Sequence, residues 1–110
     1  MEKRVWLEWL MDVYGSLLTD RQNRALSLYL SEDLSLAEIA QGEGISRQGV
    51  HDAIQRAEEA LRETEAKLGL AEKQLRLIDR LEALYADLIQ AGQTDFALRV
   101  KQLLADWGAE

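Results

Sequence analysis

The stretch GEGISRQGVHD, residues 42–52, decides the fold of this 110-residue chain. Gly44 follows a small residue, Ala40, by four positions, and an apolar residue, Ile45, comes directly after it. Six positions beyond the glycine is an aliphatic β-branched residue, Val50. Two helices crossing at a tight turn need a small contact residue, then one that tolerates positive φ, then apolar residues that fill the core. The spacing therefore predicts a helix-turn-helix.

The second helix of this motif carries polar side chains on the face that its core residues leave free. In DNA-binding helix-turn-helix domains, the N-terminal part of the second helix meets base edges in the major groove. We therefore take this face as the candidate surface for nucleic acid or a protein partner. Alternatively, the serine is only a helix cap and the arginines belong to a solvated surface. The face consists of Ser46, Arg47, Gln48, His51, Asp52, Gln55 and Arg56.

Two features disfavour the reading of duplex DNA. Gly49 lies within the second helix and costs roughly 0.5–1 kcal/mol relative to alanine. Acidic residues outnumber basic ones, 20 to 13, and the formal net charge of the chain is -7. Because nonspecific DNA binding depends on lysine and arginine neutralising phosphates, this balance disfavours a simple DNA-coating role, but it does not exclude a local basic patch.

Composition and helix signals predict an all-α protein. The chain is 47% apolar and 30% charged, has no proline, and favours residues that keep their side-chain freedom in helices. Apolar spacing predicts a first helix over 3–18. Thr19 with Gln22, and Ser35 with Glu38, have the spacing of capping boxes that open the next two helices.

We expect two regions: a four-helix helix-turn-helix domain over 1–68, and a C-terminal αα-hairpin over 69–110 that packs on it or forms a dimer interface. Gly69 marks the break, Gly92 suits a helix C-cap and Thr94 the following N-cap.

The apolar stripes of the hairpin are wider than two helices need for each other, which favours a homodimer or docking on the first domain. The predicted inward residues are Leu77, Leu81, Leu84 and Leu88 in its first helix, widened by Leu75, Ile78, Tyr85 and Ile89, and Phe96, Val100, Leu103, Leu104 and Trp107 in its second.

Other chemistry finds little support in the sequence. Cysteine is absent and His51 is the single histidine, so disulfides, thiolate metal sites and histidine clusters are excluded. The acidic residues are scattered, and no phosphate-binding loop or Ser–His–Asp arrangement is recognisable. We therefore expect no cofactor, no metal and no enzymatic activity. No apolar run approaches the ~18–20 residues of a membrane span, so we expect a cytoplasmic protein without a membrane partner.

Residues 17–61, LLTDRQNRALSLYLSEDLSLAEIAQGEGISRQGVHDAIQRAEEAL, resemble the YlxM-like helix-turn-helix proteins of bacteria and, more remotely, the promoter-binding region 4 of sigma factors. The more specific pieces are LLTDRQ, SLAEIA and SRQGV. The likeness begins with EWLMDVYGSLLTDRQ, residues 8–22, and extends to about Leu70.

This resemblance implies a small bacterial cytoplasmic regulator associated with the signal recognition particle pathway, an association suggested by the position of the family's genes beside those of the particle's GTPase and its receptor. The sigma-like comparison implies that Ser46, Arg47, Gln48 and His51 occupy the positions of promoter-reading side chains. Gly49 departs from this pattern, because a helix-favouring alanine is expected there.

Three functions remain open. The first is an accessory protein of the signal recognition particle that contacts its RNA, its GTPase or both. An acidic body suits a basic protein partner such as an RNA-binding GTPase. The second is a dimeric transcriptional regulator that reads duplex DNA with helix 46–61. The third is a protein-interaction module that binds no nucleic acid. The resemblance ranks the first above the second.

Overall fold

The regular secondary structure of residues 1–107, which the computed structural model describes, consists of helices alone. No strand occurs within them, and the predicted all-α class is confirmed. The helices are α1 (Lys3–Tyr14), a 3₁₀ turn (Gly15–Leu17), α2 (Asp20–Ser31), α3 (Leu36–Glu43), α4 (Arg47–Leu68), α5 (Leu70–Gln90) and α6 (Thr94–Asp106). The chain divides into two units, residues 1–71 and 72–110. The last three residues of the predicted hairpin, 108–110, lie outside the described part.

The first helix ends four residues earlier than predicted, at Tyr14, and continues as the 3₁₀ turn. The side-chain amide of Asn23 donates to the carbonyl of Gly15 (2.8 Å), and the N–H of Leu18 donates to the same oxygen (3.1 Å). These two bonds take the carbonyl out of the α-helical pattern, so the chain turns. Leu17, at the end of this turn, is 69% exposed.

Both predicted capping boxes are confirmed. The N–H of Gln22 donates to the Thr19 hydroxyl and the N–H of Thr19 donates to the Gln22 side chain, both at 3.2 Å. Ser35 and Glu38 make the equivalent pair of bonds at 3.1 and 3.0 Å. The Glu38 carboxylate accepts hydrogen bonds from the Ser35 backbone and hydroxyl, and these bonds lower its pKa. Reciprocal caps thus fix the starts of α2 and α3.

The core of the first unit lies among α1, α2, α3 and α4. Its largest fully buried side chains come from all four helices: Leu10, Leu26, Ile39, Val50 and Leu61. Trp6 and Trp9 are partly buried against it. Toward the end of α4 the burial stops, and Leu68 is 50% exposed.

Three side chains of the first unit hold the start of α5. The Tyr14 hydroxyl donates to the Glu65 carboxylate (2.6 Å) and accepts from the N–H of Leu70 (3.1 Å). The same carboxylate accepts from the N–H of Ala71 (3.0 Å), whose carbonyl accepts from the Trp9 indole (3.0 Å). Burial, together with the bond to the carboxylate, raises the pKa of Tyr14. Two of the first N–H groups of α5 are therefore satisfied from outside the helix.

The predicted helix end at Gly69 is confirmed, because this residue has φ 64° and its N–H donates to the Glu65 carbonyl (2.8 Å). The expected C-cap character of Gly92 is also present, with φ 74°. The prediction that Thr94 is the following N-cap is wrong. Thr94 is the first residue of α6, and the capping position is held by Gln93 without a side-chain cap bond.

In the second unit, α6 folds back along α5 after residues 91–93, so that the Lys101 ammonium lies 5.8 Å from the centre of the Tyr85 ring. The predicted inward faces are partly wrong. The structure buries a narrower set, Ile78, Ala97, Val100 and Leu104, because the small Ala97 occupies the buried side of α6 where a large residue was expected. The predicted core residues that are instead about half exposed are Leu77, Leu84, Ile89, Phe96, Leu103 and Trp107.

Candidate nucleic-acid interface

The turn between α3 and α4 is built around Gly44, which has φ 68°. Its N–H and that of Ile45 both donate to the carbonyl of Ala40, the latter at 3.2 Å. Ala40 is 8% exposed, Ile45 packs on the core, and Val50 is fully buried. The four residues that define the motif in the sequence are thus placed at the turn and in the adjacent core.

Ser46 begins α4 by accepting a hydrogen bond from the N–H of Gly49 on its hydroxyl (3.0 Å). A β-carbon added at Gly49 would lie 3.2 Å from that hydroxyl and 3.8 Å from the Cδ1 of Ile45. The first of these distances is closer than an ordinary van der Waals contact. The glycine, which the helix pattern disfavours, therefore leaves room for the cap that starts the helix.

The predicted polar face of α4, which we call the reading face, is exposed at every position. Apart from the cap, its residues follow one another at helical spacings of one, three or four, which places them on one side of the first three turns of α4. The reading face comprises Ser46, Arg47, Gln48, His51, Asp52, Gln55 and Arg56.

A carboxylate lies within the reading face and is partly screened by its neighbours. The Gln48 amide donates to the Asp52 carboxylate at 3.0 Å, and the His51 Nδ1 lies 3.7 Å from the same oxygen. Gln48 is therefore oriented by Asp52. The amide donor reduces the repulsion that the carboxylate exerts on a phosphate.

Arginines flank this group without being neutralised. Within residues 1–107, Arg47 and Arg56 have no carboxylate within ion-pair distance. Arg24 of α2, in contrast, pairs with Glu43. Two exposed and uncompensated guanidinium groups thus stand at either end of the reading face, and each is suited to bidentate contact with phosphate.

Sequence reasoning missed a contribution from α2. Arg21 and Gln22, in its first turn, line a surface depression together with Asp52 and Arg56 of α4. Arg21 is exposed and also has no carboxylate partner within the described residues. No local signal could have found this juxtaposition, because it depends on the packing of α2 against α4. It adds a third arginine beside the reading face.

Neither a metal-binding cluster nor a membrane-spanning helix occurs in the described part of the chain. Its histidine and acidic residues form no group of three or more that could hold a metal ion. Among the same residues, no helix has the length and apolar character needed to span a bilayer.

Comparison with known proteins identifies the family. Residues 1–101 match the family described as "Putative helix-turn-helix protein, YlxM / p13 like". The chain belongs to this YlxM/p13-like family. Relatives include the UPF0122 proteins of Symbiobacterium thermophilum, 50% identical over 84% of this chain and 91% of its own length, and Shouchella clausii, 40% identical over 96% and 94%. A relative in Clostridium kluyveri is 44% identical over 79% and 85%.

The YlxM/p13-like match extends further than the motifs that predicted it. The resemblance in the sequence ended near Leu70, whereas the family match continues to residue 101, within α6. The leucine spacing of α5 and α6 is common to many helical hairpins, so these helices carry no signature of their own. The family match therefore covers the first unit and most of the second.

Proposed function

We propose that this protein is a non-enzymatic regulator of the bacterial cytoplasm that binds nucleic acid through the reading face. The observation that carries this proposal is the set of exposed, unpaired arginines on the helix-turn-helix, Arg47 and Arg56 on α4 with Arg21 beside them. Membership of a helix-turn-helix family supports the same conclusion.

The binding surface is small and lies at one end of α4. The N-terminus of the helix carries a partial positive charge that adds to the attraction of the arginines for phosphate. Beyond Arg56 the helix carries Glu58, Glu59 and Glu63, which would repel a polyanion that continued along it. Contact is therefore confined to the first three turns of α4 and the start of α2, and the acidic remainder stays free.

Within this role, we infer that the protein acts in the signal recognition particle pathway and contacts the particle's RNA, its GTPase or both. The inference rests on what the YlxM-like resemblance implies. An acidic chain with one small arginine-bearing surface suits a ribonucleoprotein, because the surface meets RNA while the acidic body meets a basic protein.

The alternative is a transcriptional regulator that reads duplex DNA. The turn geometry and the exposed polar side chains at the start of α4 favour it, since this is the part of a helix-turn-helix that enters the major groove. The acidic balance argues against it, because few phosphates are neutralised.

Fluorescence anisotropy distinguishes these functions. The protein is titrated at near-physiological salt into labelled particle RNA, into the reconstituted particle and, separately, into duplexes selected from a random pool. Saturable micromolar binding to the RNA or the particle is expected, with no sequence enriched from the duplex pool. Selection of a duplex sequence without binding to the particle would replace the targeting role with the transcriptional one.

Substitutions then locate the surface. Arg47→Ala and Arg56→Ala should each weaken binding by about 1–3 kcal/mol and reduce its salt dependence. Arg62→Ala is the matched control, because it removes the same charge from an exposed position of α4 beyond the reading face. Equal losses for all three variants would show that overall charge matters and the reading face does not. Particle binding that survives all three would indicate a protein-interaction module.

A further inference from the structure

The second unit exposes large apolar side chains in a regular pattern. Leu77 and Leu84 of α5 are 47% and 45% exposed, and Phe96 and Leu103 of α6, with Trp107 at its C-cap, are 54%, 57% and 53% exposed. Their separations are seven residues in α5, and seven and four in α6, so each helix presents one continuous stripe. We call these five residues the apolar hairpin face.

The two stripes lie on the same side of the hairpin. Four of the five exposed residues come one position, about 100° of helix, before a side chain on the inner side of the hairpin. These pairs are Leu77–Ile78, Leu84–Tyr85, Phe96–Ala97 and Leu103–Leu104. Since α5 and α6 run in opposite directions, facing each other at Tyr85 and Lys101, the same backward step leads to one common side.

The apolar hairpin face is large for a surface left in water. Each residue leaves about half of its area exposed, on the order of 500 Å² in total, whereas a monomeric protein rarely exposes a contiguous apolar patch beyond a few hundred Å². With its charged margin, this face approaches the roughly 800 Å² that each partner buries in a specific interface.

The charges along the margin indicate which molecule covers this face. Along each stripe, one positive and one negative side chain each follow an exposed apolar residue by three positions. They are Arg80 and Asp87 in α5, and Arg99 and Asp106 in α6. All four are exposed, and within residues 1–107 none of them has an ion-pair partner.

This charge pattern is self-complementary. Asp87 and Arg99 lie nearer the turn, and Arg80 and Asp106 lie farther from it. If α5 of one copy faces α6 of another with the turns at the same end, Asp87 meets Arg99 and Arg80 meets Asp106. If each helix instead faces its own copy in the opposite direction, Arg80 meets Asp87 and Arg99 meets Asp106. Both twofold arrangements bring opposite charges together.

We propose that a second copy of this chain covers the apolar hairpin face, so that two hairpins form a four-helix bundle about a twofold axis. The dimer buries the five apolar side chains and pairs the four marginal charges. The proposed interface consists of residues of the second unit alone, so the proposal does not rest on the proposed nucleic-acid binding.

Light scattering after size-exclusion chromatography tests the proposal on the full chain. At micromolar concentration the expected mass is twice the chain mass of 12.5 kDa. Leu84→Glu and Leu103→Glu should each weaken the dimer at least about 100-fold, because symmetry buries the new carboxylate twice. Far-UV circular dichroism should show unchanged helix content, since both side chains are already half exposed.

Leu98→Glu is the matched control. Leu98 is 54% exposed but lies two positions, about 200° of helix, from Phe96 and therefore off the apolar hairpin face. This variant should remain a dimer. A monomeric wild-type protein would overturn the proposal, as would a dimer that withstands Leu84→Glu and Leu103→Glu or is lost with Leu98→Glu. The monomeric result would leave the face to a different protein.

Charge exchange identifies the arrangement. Arg80→Glu should weaken the dimer severalfold. Adding Asp106→Arg restores it if α5 faces α6 of the second copy, whereas adding Asp87→Arg restores it if α5 faces α5. Restoration by neither would overturn the proposed pairing of the marginal charges.

Discussion

The two units use their apolar residues in opposite ways. In residues 1–71, the large apolar side chains of four helices converge on one core, and Leu10 and Leu26 are completely buried. In residues 72–107, the inner side is narrow, and three large apolar side chains of α6 and its C-cap are more than half exposed: Phe96, Leu103 and Trp107. Similar apolar spacing in the sequence thus leads to a closed core in one unit and an open face in the other.

The contrast shows that a helical pattern specifies which residues share a side, but not what covers that side. In the first unit, the helices that cover each stripe are present in the same chain. In the second, two helices cannot enclose stripes that span about half of their circumference. The stability of the first unit should therefore depend strongly on its core leucines. The stability of the second unit by itself should depend little on its exposed leucines.

Truncating leucines in the two units is expected to give the largest difference. Leu26→Ala should lower the free energy of unfolding by about 2–5 kcal/mol, because it leaves a cavity in the core. Leu98→Ala, at a 54% exposed position of α6, should lower it by about 0.5 kcal/mol or less. Urea denaturation followed by circular dichroism measures both. Equal losses would mean that the hairpin is as closely packed as the first unit.

The contact that holds the start of α5 within the first unit is tested by Tyr14→Phe. This change removes the hydroxyl that bonds Glu65 and the N–H of Leu70, and should cost about 1–3 kcal/mol. The pKa of Tyr14 is raised in the folded protein. The contribution of its hydroxyl to stability is therefore present below the pKa of the unfolded chain, near 10, and is lost as pH rises through the pKa of the folded protein.

Comparing the wild-type protein with the Tyr14→Phe variant between pH 9 and 12 isolates that share. The stability difference between them should shrink with rising pH. A constant difference would assign the loss to packing and not to the hydroxyl.

Alanine substitution of two glycines tests the turn and the helix before it separately. Gly44→Ala places a β-carbon at φ 68° and should cost about 1–2 kcal/mol. Gly42→Ala, inside α3 with no atom within 4 Å of the new β-carbon, should stabilise by up to about 1 kcal/mol. Thermal melts that moved in the same direction for both would mean that the left-handed turn does not limit stability.

The smallest expected effect concerns the capping box of α3. Because the pKa of Glu38 is lowered in the folded state from its ordinary value of 4.5, its contribution to stability is present above that value and is lost as pH falls through the folded value. Glu38→Gln keeps a side chain able to accept from Ser35 but removes the titration. Its melting temperature should therefore fall less than that of the wild-type protein on acidification, and an identical fall would exclude this role.

The fold of the first unit could be predicted because its signals are local. The capping boxes at Thr19 and Ser35, the left-handed Gly44 and the buried Val50 each act within a few residues of the chain. The end of α1 could not be predicted, because it depends on the Asn23 amide reaching back to Gly15.

The polar residues of the reading face could be named from the sequence, whereas their electrostatics could not. The bond between Gln48 and Asp52 follows from a spacing of four residues, but the position of Arg21 beside Arg56 requires α2 to pack on α4. In the hairpin, periodicity alone could not tell Ile78, which is buried, from Leu77, which is exposed.

The way in which α5 begins also has a consequence for the order of folding. Its first N–H groups are satisfied by Tyr14 and Glu65, and the tyrosine lies 56 residues before Leu70. During synthesis, α1 must therefore wait until the whole first unit has left the ribosome before this contact can close. A hairpin peptide cut away from the first unit would start with a frayed turn, so the folding of α5 is completed only after that of α1 and α4.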